Sequence, residues 1–219
     1  MSHFEIELAA LKERLLLMAS RAEAAVNNAI KALVERDDDL ARRVKEEDDA
    51  IDQLEQQVDA ACIALLAKAP LATQLRLITS AMKISRDLER VGDEATTIAR
   101  RSLELSQEPQ LKAYVDIPRM ATMAMAMLND ALGAFVTGDT ARARSVIPRD
   151  KEVDQLNKQL YRELASFMIE KPTTITRCLN LMAISKALER IADHAKNVAE
   201  DAVFLYEARD IRHLGGGEH

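Results

Sequence analysis

Tryptophan is absent, and aromatic residues together make up only 3% of the 219-residue chain. Glycine occurs six times and proline five. So little turn-forming and aromatic material argues against a sheet protein. The abundant residues are Ala, Leu, Glu, Lys, Arg and Met, the vocabulary of long helices. Two cysteines, Cys62 and Cys178, provide neither a disulfide framework nor zinc-ligand spacing, and each sits among apolar neighbours, as a buried reduced thiol does. A basic excess is missing too. The formal charge is −6 and the pI about 5.4, which argues against a partner recognised by phosphate neutralisation, so no nucleic acid is expected. No 18 apolar residues run uninterrupted, and the first residues lack a basic region followed by an apolar core. No membrane insertion, no signal peptide and a cytoplasmic location are therefore expected. Catalytic signatures are lacking as well: there is no Gly-rich phosphate loop, nucleophile elbow or His-x-x-x-His. Ser85 and Ser185 read as polar helix surface rather than nucleophiles.

One phrase is present twice, about a hundred residues apart. Ile84-Ser85-Arg86-Asp87-Leu88-Glu89-Arg90-Val91-Gly92-Asp93 returns as Ile184-Ser185-Lys186-Ala187-Leu188-Glu189-Arg190-Ile191-Ala192-Asp193. Earlier segments repeat with an offset two residues larger: Met18 to Ala24 aligns with Met120 to Ala126, and Asp52-Gln53-Leu54 with Asp154-Gln155-Leu156. The chain is thus a duplication. Apolar residues recur every three or four positions, as in Leu77, Ala81, Ile84, Leu88, Val91, Ala95 and Ile98, and again in Leu181, Ile184, Leu188, Ile191, Ala195, Val198 and Leu205. These are narrow helical seams. Breaks at Asp37 to Asp39, Pro70, Pro109, Gly138-Asp139 and Pro172 divide the chain into six segments, about 4–35, 39–69, 73–107, 119–137, 140–171 and 174–211. Pro148 should kink the fifth or mark its true start. The glycine-rich end after Gly215 should fray. The expected fold is all-α, two tandem repeats of an antiparallel three-helix bundle covering 1–110 and 111–219. Met120, Met123, Met125 and Met127 read as core filler.

Each phrase places a Glu and an Asp four residues apart on one helix face, where like charges repel. Measured from the seam, Glu89 and Asp93 point roughly 130° and 170° outward at about 100° per residue, which predicts a surface site rather than a core di-iron site. Folding the second and third helices back on each other adds partners. Asp48 and Asp93 lie equally far from the turn at Pro70, as do Asp52 and Glu89; Asp150 with Asp193 and Asp154 with Glu189 are likewise placed about Pro172. Each half then gathers four carboxylates, whose oxygens suit hard ions such as magnesium, calcium, manganese or iron. Asn197, one turn beyond Asp193, adds an oxygen, and His194 is a flanking ligand or supporting group. A solvated acidic surface neutralised by Arg86, Arg90, Lys186 and Arg190 is the competing reading.

Leu88-Glu89-Arg90-Val91-Gly92-Asp93 and Leu188-Glu189-Arg190-Ile191-Ala192-Asp193-His194-Ala195-Lys196-Asn197 resemble the paired acidic signatures of the PhoU family. The resemblance runs from Leu11 to about Tyr206. It implies tandem three-helix bundles carrying metal ions (iron, zinc, manganese, magnesium or calcium) on Asp48, Asp52, Glu89, Asp93, Asp150, Asp154, Glu189 and Asp193, to which the spacing argument adds Asn197. It also implies a homodimer and a non-catalytic, negative regulator of phosphate-starvation signalling and phosphate uptake. The implied partners are the phosphate ABC transporter ATPase and the phosphate sensor histidine kinase. Thr97 stands where the second half has Asn197, a departure that makes the first site less complete. A metal-dependent enzyme and a metal-free helical adaptor are the alternative functions.

Overall fold

A computed structural model describes residues 3–68 and 71–211. Pro70 and the glycine-rich end, on which two sequence expectations rested, lie outside the described residues. The chain runs as α1 (His3–Glu35), α2 (Asp38–Glu47), α3 (Asp49–Leu66), α4 (Ala72–Ser106), α5 (Asp116–Thr137), α6 (Thr140–Val146), α7 (Asp150–Glu170) and α8 (Ile175–Glu207). Among the described residues there is no strand. The second and fifth segments are each two helices rather than one. Pro148 forces a 3-10 turn at Ile147–Arg149, because its ring lacks an N–H and crowds the preceding turn. The matching break at Asp48 contains no proline and left no signal in the sequence.

The first turn of each half uses the same device with different residues. Arg36 and Gly138 both adopt left-handed backbone, φ 57° and 76°. The following Asp37 and Asp139 cap the next helix, each accepting a bond of 2.9 Å, from the Leu40 and Arg142 N–H groups. Glycine takes this conformation freely, whereas arginine does not. Arg36 offsets the strain by donating to the carbonyls of Leu105, Ser106 and Glu108 at the end of α4.

The helical seams are the core. Ala81, Ile84, Leu88, Val91, Ala95 and Ile98 of α4 are fully buried, as are Ile184, Leu188, Ile191, Ala195 and Val198 of α8. Met120 and Met127 are sealed inside, and Met125 nearly so. By length and composition α5 is apolar enough to cross a bilayer, though it contains no uninterrupted apolar run; 56% of its most apolar stretch is buried within the protein. Cys62 and Cys178 are free and buried.

α1 to α4 form one bundle and α5 to α8 the other. They join lengthwise, α4 against α8 and α1 against α5. Along α4 and α8 the cross-links run antiparallel: Lys83 to Asp201 at 3.1 Å, Asp87 to His194 at 2.8 Å, Glu94 to Arg190 at 3.1 Å, and Arg101 to Asn180 at 3.3 Å. This relates the halves by a local two-fold passing near Val91 and Ile191.

Candidate functional site

Each helix break sits at a carboxylate. At Asp48 the chain leaves α2 and restarts as α3, setting Asp48, Asp49 and Asp52 in or beside the first turn. Asp150 likewise opens α7, with Asp154 one turn on. Unpaired backbone N–H groups at a helix start favour negative charge, so these acids are locally at home. α4 and α8 then bring a second pair against each start.

In the first half the two helices meet at Gly92. A methyl group there would lie 2.9 Å from Ile51 Cδ1 and 3.1 Å from Asp48 Oδ1. The second half carries Ala192 and Val153 at the matching positions. The methyl missing from Gly92 appears in Ala192, and the carbon missing from Val153 appears in Ile51. The repeats conserve volume while exchanging which helix supplies it.

The acids of each group lie near enough to repel one another across the two helices: Asp48 senses Asp52 and Asp93, and Asp193 senses Asp150, Glu189 and Asp154. Burial raises the proton affinity of Asp48, and neighbouring Asp52 and Asp93 add to it. Glu89 is raised by burial and by Asp93, with Asp52 contributing, while Arg90 opposes. Burial also raises Asp193, followed by Asp150 and Glu189, with Asp154 beyond them. These are the marks of mutually repelling carboxylates with restricted access to water.

The expectation of a site on the outer surface is corrected for Asp150 and Glu189, which are buried, while the other six acids are half-buried. Asp150 is 6% exposed and Glu189 9%. The Glu89 side chain retains 16% of its exposure and Asp93 45%. A direction outward from one helix seam can still enter the groove beside a neighbouring helix, and here it does. Ser85 and Ser185 are also fully buried rather than on the surface. Ser85 donates to the Met82 carbonyl and Ser185 to Asn157 Oδ1, so neither meets a base.

Asn197 is corrected more sharply. Its amide donates to Asp87 Oδ1 at 3.2 Å, the same oxygen that His194 Nδ1 meets at 2.8 Å. Both residues clamp α8 to α4 and point away from the carboxylates. The group that does enter the second cluster is Lys196, whose Nζ lies 3.0 Å from Asp150 Oδ2. Its counterpart Thr96 lies close enough to Asp48 to favour that carboxylate's charge, but outside full hydrogen-bonding geometry. The telling difference between the halves is therefore Thr96 against Lys196, one residue before the Thr97–Asn197 departure.

The arginines diverge for a related reason. Arg90 stays on its own cluster, 3.3 Å from Glu89 and 2.8 Å from Asp93. Arg190 crosses to Glu94, 3.1 Å away. Under the local two-fold the partner awaiting Arg90 is His194, which is already engaged by Asp87. Lys186 forms the ion pair with Glu189 instead.

Sequence reasoning also missed Glu55, whose proton affinity is raised by burial and by Asp59 and Asp52. Its signal was present: Asp52, Glu55 and Asp59 fall three and four residues apart on one helix face. They lead into a cleft of about 410 Å³ lined by Glu55, Asp59, Met82, Lys83, Arg86, Glu89 and Arg90. The second half has no equivalent, since Asn157 and Tyr161 occupy those positions.

As donors the clusters suit a hard cation: they consist of oxygens, and Asp150 Oδ1 is buried without a hydrogen-bond partner, whereas Glu89 Oε2 and Glu189 Oε2 are held by Arg90 and Lys186. As positioned they are not a finished cage. Among the described residues no three Asp, Glu, His or Cys groups converge as metal ligands. Protein cations hold the carboxylates instead.

Comparison with known proteins agrees with the repeat. The PhoU domain family model matches twice, over residues 15–102 and 117–202. The phosphate-specific transport system accessory protein PhoU homologue of Pseudomonas aeruginosa is 41% identical over 97% of this chain and 88% of its own length. The homologue of the same name from Aquifex aeolicus is 42% identical over 94% of each chain. The Escherichia coli protein is 33% identical over 98% of this chain and 90% of its own. The crystal structure of PhoU from Pseudomonas aeruginosa superposes with a TM-score of 0.92 at 40% identity, covering 94% of this chain and all of that one. The phosphate transport system regulatory protein PhoU from Streptococcus pneumoniae gives 0.89 at 28% identity, over 95% and 99%.

Proposed function

This chain belongs to the PhoU family, and from that premise we propose that it is a cytoplasmic, non-catalytic regulator that restrains phosphate uptake and phosphate-starvation signalling. The observation that carries the reading is likeness along almost the entire chain, in both repeats, to proteins named as accessories of phosphate-specific transport. An accessory acts by contact, and long helical faces supply contact area without an active site. The transporter's ATPase and the phosphate sensor histidine kinase are the proposed partners, and the protein acts as a homodimer.

Metal binding is part of the proposal. Asp48, Asp52, Glu89 and Asp93 would hold a cation in the first half, and Asp150, Asp154, Glu189 and Asp193 in the second. The unpartnered buried Oδ1 of Asp150 and the raised proton affinities of Asp48, Glu89 and Asp193 support this. The bound cation would supply positive charge to the repelling carboxylates and so couple metal supply to the shape of the helix breaks.

Deleting the protein in its own host should switch on a phosphate-starvation reporter in phosphate-rich medium, and the wild-type chain should restore repression. Unchanged reporter output refutes the regulatory reading. For the metal, protein purified without chelators should carry at least one equivalent that Asp48→Asn with Asp150→Asn removes. Less than a tenth of an equivalent favours the metal-free adaptor.

A further inference from the structure

We infer that Lys196 is a resident cation of the second carboxylate cluster, so that the two repeats treat metal ions unequally and only the first is open to one at low concentration. The inference rests on the metal reading above. Lys196 Nζ lies 3.0 Å from Asp150 Oδ2, and the Asp150 side chain is 9% exposed. An ammonium donates up to three hydrogen bonds and carries its charge into the cluster without cost in free cation. Lys186 adds a second positive group on Glu189.

A divalent ion entering this cluster must expel the ammonium from a buried carboxylate and compensate the lost pair. Even so, Asp150 Oδ1 is buried and bonded by nothing, which leaves room for a cation once Lys196 withdraws. The first cluster has neutral Thr96 in the position of Lys196, and the cation it meets is Arg90, on Glu89 and Asp93. Its Thr96 hydroxyl is buried and lacks a hydrogen-bond partner. Its cation, Arg90, lies at the rim with 49% of its side chain exposed and can turn into solvent.

Two measurements test this. In the first, Mn²⁺ is titrated into the full chain and paramagnetic broadening of the Gly92 and Ala192 amide signals is followed. Gly92 should broaden at a concentration at least tenfold lower than Ala192. Lys196→Thr should bring the two within about threefold, and Thr96→Lys should raise the Gly92 concentration tenfold or more. Equal response of both amides in the wild type, unaltered by either substitution, overturns the inference while leaving the metal reading intact. In the second, thermal unfolding is measured in EDTA. Lys196→Met should lower the Tm by roughly 5–10 °C, while Lys196→Arg stays near wild type. If no amide broadens in any variant, the metal reading and the inequality both fail. A Tm unmoved by Lys196→Met removes the resident-cation role itself.

Discussion

The exchange of a methyl group between Ile51–Gly92 and Val153–Ala192 makes a prediction about the first half. Gly92→Ala places its new carbon 2.9 Å from Ile51 Cδ1 and 3.1 Å from Asp48 Oδ1, so both must yield. Each is the far end of a side chain, which keeps the cost near the lower end of overpacking, about 1 kcal/mol. Replacing glycine within a helix returns about 1 kcal/mol, so the single variant should be close to neutral in stability. Ile51→Val alone removes one buried methylene at 2% exposure and should cost about 0.5–1.5 kcal/mol. The double variant copies the second half: the clash with Ile51 Cδ1 disappears, leaving only the Asp48 carboxylate to yield, and the alanine carbon fills the space. It should be more stable than the sum of the singles by about 1 kcal/mol. Urea denaturation of all four proteins gives that coupling directly, and at this size it corresponds to roughly 2–4 °C in Tm. Additivity within about 0.3 kcal/mol would refute the volume exchange.

Three further outcomes follow from the geometry. Asp48, Glu89 and Asp193 hold protons more tightly when folded, so their contribution to stability is present at acid pH and is lost as pH rises past the ordinary carboxylate range and through the raised folded values. Stabilisation by Mn²⁺, measured as a Tm shift, should therefore be larger at pH 7 than at pH 4; an equal shift at both contradicts the carboxylate origin. Gly138→Ala should destabilise by about 1–2 kcal/mol in chemical denaturation, because it meets a φ of 76° and the Tyr206 ring at 3.1 Å. Burial pushes the Cys62 thiol up to about 12, so a disulfide reagent at pH 8 should leave it unmodified in native protein and label it only on unfolding.

Much of the site was legible because helix geometry is regular. Equal rise along two antiparallel arms is enough to set Asp48 near Asp93 and Asp150 near Asp193 without knowing the turn itself. Regularity was also the source of the errors. A projection at about 100° per residue places Glu189 outside its own seam, but it contains no neighbour, and α7 closes over that flank. Asn197 was extrapolated up the same helix as Asp193, yet its side chain answers to Asp87 in the other half. Lys196 passed as an ordinary helix lysine because nothing local distinguishes one that points at a buried aspartate.

Duplication, helical class, core seams and the eight acidic positions are determined by the sequence alone, since each depends on period and spacing along a single chain. The break at Asp48, the burial of Asp150 and the division of cations between the halves were decided by tertiary structure. They depend on which groups from different helices meet. The pairs Glu94 with Arg190 and Asp87 with His194 exist only because α4 lies antiparallel to α8. Two nearly identical phrases therefore become unequal sites, because a charge's effect depends on the partner across from it.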